Sequence, residues 1–148
     1  MSRVKVQNPI IHTPKFNEYW IAGAELARKY SERNIEQPFP ISDKWYYFTD
    51  VEGWAKLLSD LVMKSNLYKA DRFDCEDYAI KAQVTCAERY GLNTLRYTYG
   101  LTLQGAHGFN SFWTGDRIML FEPNDGYQYE ELMFEIGDYE YTPLAVLL

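Results

Sequence analysis

Two cysteines and two histidines are all that this 148-residue chain offers to thiol or imidazole chemistry. So few cysteines exclude a disulfide framework. If Cys75 and Cys86 share one helix, about 16 Å of axial rise parts them, beyond bridging distance. A reducing compartment, the cytoplasm, is therefore expected. No apolar run approaches the roughly 18 residues of a membrane span, and the N-terminus carries no signal-peptide core. Positive charge is in deficit as well. Lys and Arg number 15 against 21 Asp and Glu, and the net charge of −6 argues against a nucleic-acid partner. Internal repeats, low-complexity segments and linkers are missing too, so residues 1–148 read as a single domain.

Aromatic residues, by contrast, are abundant: 17% of the chain, with 13 tyrosines. Most of them suit a β-sheet core, and the rest suit a wet groove where a ring packs and a hydroxyl reaches out. Residues 1–17 read as an extended arm with His12 in it. Apolar positions from Asn17 to Arg33 recur at helical spacing, with Asn17 as N-cap, and Gln37-Pro38-Phe39-Pro40 ends that pattern. A second helix, capped by Thr49 or Asp50, carries Val51, Trp54, Leu57, Leu58, Leu61 and Val62 on one stripe. Residues 1–64 are thus expected to form a helical part.

A third helix begins at Cys75. Asp74 stands at its N-cap with Asp77 three residues on, a variant of the capping box, and Gly91 is a good C-terminal stop. Cys75, Ala79, Ala82 and Cys86 form a stripe of small side chains that lets the helix lie close to a sheet. After Gly91 the period changes to two. Leu95, Tyr97, Tyr99, Leu101 and Leu103 alternate with Thr94, Arg96, Thr98, Gly100 and Thr102 as an amphipathic strand. Further strands are expected at 106–113 and 117–122, joined by the tight turn Thr114-Gly115-Asp116-Arg117, and near 132–136 and 139–148. The fold class is α+β, a helix packed on an antiparallel sheet.

Cys75 is the residue this layout singles out. A cysteine at a helix N-terminus meets the positive end of the helix dipole, which favours the thiolate. A thiolate nucleophile needs a base, and the base needs an orienting partner. His107 is the base candidate. If Gly115-Asp116 is a two-residue turn, Thr114 pairs with Arg117, so Glu122 falls diagonal to His107 on one face and Asn124 falls directly opposite. Both can orient the ring. Glu122 is preferred, because a carboxylate fixes the tautomer and stabilises the imidazolium. Hydrolysis of a peptide or protein substrate through an acyl-thioester is then expected, slowing as His107 protonates.

The segment Tyr68-Lys69-Ala70-Asp71-Arg72-Phe73-Asp74-Cys75-Glu76-Asp77-Tyr78-Ala79, with His107-Gly108-Phe109-Asn110 and Phe121-Glu122-Pro123, resembles a papain-like family. Its members are the C-terminal domain of a blood-group-binding mushroom agglutinin and stand-alone bacterial and phage relatives. The resemblance spans residues 65–127 and implies a papain-like fold with cysteine-protease activity dependent on calcium. It assigns Cys75 as nucleophile, His107 as base, Glu122 as orienter, and Glu76 and Asp77 as metal ligands. One departure stands out: papain-like enzymes place a glutamine shortly before the cysteine as an oxyanion donor, and residues 66–73 contain none. That leaves open a non-catalytic binding or assembly module on the same fold. The Phe-Asp-Cys segment also resembles NlpC-type cell-wall peptidases, which Glu76 fits less well. The sequence leaves a homodimer open.

Overall fold

A computed structural model describes residues 13–127 and 129–148. The expected arm through His12 lies outside them. Two sheets organise the chain: a ribbon of β1 (Tyr19–Ala22) and β2 (Trp45–Phe48), and an antiparallel five-stranded sheet. The larger sheet contains β3 (Arg96–Thr102), β4 (Gly105–Trp113), β5 (Ile118–Phe121), β6 (Met133–Glu135) and β7 (Thr142–Val146). Their spatial order is β6-β5-β4-β3-β7. Helices α1 (Gly23–Ser31), α2 (Val51–Leu57) and α3 (Cys75–Tyr90) complete the α+β fold, with α3 packed on β3 and β4.

Helix α3 forms where its signals stand. A capping box between Asp74 and Asp77 opens it, the Asp74 backbone N–H donating to the Asp77 carboxylate at 3.2 Å. It closes at Gly91, whose φ of 70° is the left-handed turn that glycine adopts at little cost. Ala79, Ala82 and Cys86 are buried along one side, as the small-residue stripe requires. Asp50 caps α2 by accepting the Gly53 N–H at 2.9 Å, and a 3-10 turn at Leu58–Leu61 continues the apolar stripe.

The N-terminal part departs from an all-helical reading. Tyr19–Ala22 is a strand, α1 starts only at Gly23, and the Asn17 amide reaches the Asp50 carboxylate at 3.5 Å instead of capping a helix. Two aromatic runs, Tyr19-Trp20-Ile21 and Trp45-Tyr46-Tyr47-Phe48, pair with each other. Bulky flat side chains across a two-stranded ribbon gain more from facing one another than from a helical turn.

Strand β3 turns the side inward that its sequence makes polar. Thr98 and Gly100 are buried, while Tyr99 and Leu101 are exposed. Two facts explain the inversion. Thr98 Oγ1 meets Ser111 Oγ at 2.6 Å, and Ser111 Oγ meets the Tyr30 hydroxyl at 2.7 Å, so the buried hydroxyls satisfy each other. The other face loses its cover because α3 begins level with Gly108, the partner of Tyr99, and Leu101 lies beyond the helix end.

Ser111 is the hinge of that hydroxyl cluster. Ser111→Ala should destabilise the fold by about 2 kcal/mol, because two buried hydroxyls lose a partner at once. Chemical denaturation of the variant against the parent chain measures it, and Ser31→Ala on the surface serves as the silent control.

Candidate active site

The three residues expected to act together do converge. Cys75 is the first residue of α3, half-buried, and stands close enough to His107 to contribute to the raised pKa of its ring. The thiol donates to the Glu76 carboxylate at 3.4 Å. His107 Nε2 meets Glu122 Oε2 at 2.6 Å, both side chains almost fully buried. The imidazole is therefore fixed by the carboxylate, with Cys75 nearby.

The turn 114–117 creates that geometry. Thr114 N–H donates to Arg117 O at 3.1 Å, and Asn110, Ser111, Phe112 and Trp113 pair with Phe121, Leu120, Met119 and Ile118. This is the register that places Glu122 diagonal to His107. A slip of one residue would send the carboxylate to the opposite face. Gly108 supplies the second constraint. A Cβ there would stand 3.0 Å from the Tyr97 ring and 3.1 Å from the Glu76 backbone, so glycine lets the first turn of α3 rest directly on β4 beside His107.

Glu122 is the most heavily bonded side chain of the group. Besides His107, its Oε2 accepts the Tyr141 hydroxyl at 2.8 Å, and its Oε1 accepts the Asn124 backbone N–H at 3.2 Å. Tyr129 donates in turn to Tyr141 at 2.9 Å. Asn124, the alternative orienter, does not meet the ring. Its side-chain oxygen accepts the Gly126 N–H at 2.9 Å, closing a local turn, and its contribution to Glu122 is through the backbone. Around the imidazole lie the rings of Tyr127 at 4.9 Å, Tyr141 at 6.0 Å and Phe109 at 6.1 Å. Tyr141 and Tyr127 escaped the sequence reading; the abundance of tyrosine was the only signal pointing to them.

Charge follows from this packing. Burial alone would push His107 down, but hydrogen bonds to Cys75 and Glu122 and the negative charges behind them prevail, lifting it to about 9. Burial, and then the Glu122 charge, raise Tyr141 far above its ordinary value, so it stays a hydroxyl donor. Tyr127 is pushed up to about 12 for the same reasons in the same order. Cys86, sealed in the core, is pushed up to about 12 by burial and is no competitor for Cys75.

The acids beside Cys75 arrange themselves differently from the expected metal pair. Asp77 turns back onto the Asp74 N–H, so it caps its own helix. Asp74, Cys75 and Glu76 are the groups that gather, with potential ligand atoms within 4.8 Å of one another. A hydrogen bond to Glu76, then burial and charge repulsion, raise Asp74, while the same bond lowers Glu76. Calcium takes about six to eight hard oxygen ligands, and two carboxylates plus a soft thiol from one turn do not provide that shell. The donor set does not fit calcium.

His107 also links pH to stability. Its value in the folded state lies near 9, above the ordinary 6.5, so the stabilisation is complete below about 6.5 and is lost as pH rises through about 9. The melting temperature should fall between pH 7 and 9.5, and His107→Gln should flatten that slope. Thermal melts of both chains across this range check it.

No family model matches the sequence, and no curated protein matches it. The fold is similar to that of a solved chain described as "PSL1a-E64 complex", with a TM-score of 0.65 and 18% identity. The match covers 87% of this chain and 51% of that one, so this chain spans about half the length of that protein. At this identity the likeness establishes the α+β fold.

Proposed function

We propose that this chain is a papain-like cysteine peptidase with Cys75 as nucleophile, His107 as proton carrier and Glu122 as the group that orients it. The single observation that carries the reading is the buried His107–Glu122 bond of 2.6 Å beside Cys75, the first residue of α3. The fold neighbour adds support, since the ligand in its description, E64, is a cysteine-protease inhibitor.

The chemistry follows the positions. An imidazolium next to the thiol favours the thiolate, whose sulfur attacks the scissile carbonyl. A C–S bond forms, the C–N bond breaks, and His107 gives its proton to the departing amine. Water then loses a proton to His107 and attacks the thioester, releasing the acid and restoring the thiolate–imidazolium pair. Because His107 holds its proton to about pH 9, it is the acid available to protonate the departing amine. Hydrolysis therefore fails as His107 deprotonates, the reverse of the direction read from the sequence. The Cys75 backbone N–H, first in its helix, supplies one oxyanion donor. Exposed Tyr99, level with the start of α3, and Leu101 beyond it offer an extended substrate an apolar shelf.

One observation favours a second reading. The loop before Cys75 closes on itself, Lys69 and Phe73 exchanging backbone hydrogen bonds at 2.8 Å, and brings no glutamine to the sulfur. A single missing oxyanion donor costs about 100-fold or more in turnover. A domain that keeps the fold and binds without cutting would look this way.

Two measurements separate these readings. E64 should add once, to Cys75 and not to Cys86, by mass-spectrometric mapping. Hydrolysis of denatured casein should vanish in Cys75→Ala, fall by about 100-fold or more in Glu122→Gln, and decline as pH rises through about 9. Casein hydrolysis unchanged in Cys75→Ala ends the peptidase reading. E64 labelling without hydrolysis points to the binding module.

A further inference from the structure

A cavity of about 300 Å³, at the small end of the range for ligand pockets, shares walls with the candidate active site. The Tyr127 ring lines it and also packs on the His107 imidazole, with centroids 4.9 Å apart. Tyr129 lines it too, and its hydroxyl starts the chain through Tyr141 to the Glu122 carboxylate. Tyr139 stacks on Tyr129 at 4.2 Å, and Glu140 and Leu103 complete the rim. Tyr139 and Glu140 are presented by an unusual backbone. Their φ angles of 53° and 63° both lie in the left-handed region, which bulky side chains rarely adopt. The Gly137 N–H donating to Tyr141 O at 2.9 Å, and the Glu140 N–H donating to Gly137 O at 3.2 Å, hold that turn. Strain of this kind persists only where the surrounding structure enforces it.

The charge at this cavity is unbalanced. Glu140 is its charged lining residue, no lysine or arginine lines it, and among the described residues Glu140 forms no ion pair. Rings elsewhere already carry a cation: Lys29 lies over Trp113, Lys44 over Trp45 and Arg96 over Tyr46. Among the described residues no cation lies over Tyr127, Tyr129 or Tyr139, and all three rings are only half-buried. Three tyrosine rings and one carboxylate without a counter-charge therefore face the same space.

We propose that this cavity is the subsite that receives a lysine or arginine side chain of the peptide substrate. The alkyl stem lies along the tyrosine rings, and the cationic head reaches Glu140 at the rim. The assignment rests on the peptidase reading, because Tyr127 puts the cavity next to the base that serves the scissile bond. An aromatic substrate side chain would use the rings but gain nothing from Glu140. A metal ion would find one carboxylate, too few oxygen ligands to hold it.

Isothermal titration calorimetry of the Cys75→Ala chain, which binds without cutting, tests this with acetylated, amidated Gly-Ala-Xaa-Ala-Gly peptides. Arginine or lysine as Xaa should bind about fivefold tighter, or more, than citrulline, norleucine or phenylalanine. Glu140→Gln in the same chain should weaken the arginine peptide about threefold, and Glu140→Lys should erase the preference. Neither should move the norleucine peptide. Glu140 is exposed, and an unchanged melting temperature shows that each variant is folded. In the parent chain, casein cuts mapped by mass spectrometry should carry lysine or arginine at one fixed distance from the cut bond. Equal affinity of the arginine and citrulline peptides, no binding of the arginine peptide, or a preference that survives Glu140→Lys overturns the proposal. Casein cuts without a basic residue at a fixed distance overturn it too, and leave the peptidase reading standing. Selective arginine binding without casein cleavage overturns the peptidase reading instead, and leaves the cavity as a pocket for basic peptides.

Discussion

Everything in the candidate site depends on a buried charge pair, His107 against Glu122 at 2.6 Å. A carboxylate taken out of water costs several kcal/mol unless its oxygens are met by donors. Glu122 meets that condition with the imidazole, the Tyr141 hydroxyl and the Asn124 N–H. The satisfied carboxylate then keeps His107 charged at neutral pH despite its burial.

The rest of the molecule holds those donors in place. Residues 63–65 run beside 123–125, with Met63 N–H donating to Pro123 O at 2.7 Å and Asp125 N–H to Met63 O at 2.9 Å. Ser65 N–H closes on the Asp125 carboxylate at 2.6 Å. Tyr78, one turn into α3, donates to Lys64 O at 2.6 Å, so α3 and the Glu122 loop share one anchor. Behind them the helix sits tightly on β4, where Gly108 removes the side chain that would push it away. Cys75, His107 and Glu122 thus belong to elements that cannot drift independently.

Local signals made the centre of this arrangement legible. A capping box and a C-terminal glycine bounded α3 to the residue, and a two-residue turn carried the β4–β5 register far enough to place Glu122 beside His107. Non-local features were not legible. Tyr141 reaches Glu122 from 19 residues downstream, and no spacing rule connects them. The β1–β2 ribbon hid because Tyr19, Trp20 and Ala24 also satisfy a helical period, and only the partner run at 45–48 decides the matter. Strand β3 misled for the same reason. Its hydrophobic period was correct, but which face is inside depends on where α3 stops and on a hydroxyl cluster assembled from three elements.

The most direct measurement is the pH titration of the His107 imidazole by nuclear magnetic resonance, in the parent chain and in Glu122→Gln. The account predicts an apparent value near 9 in the parent and a clear fall toward the ordinary 6.5 in the variant. Titration of the parent near 6.5, unchanged by the substitution, would contradict it.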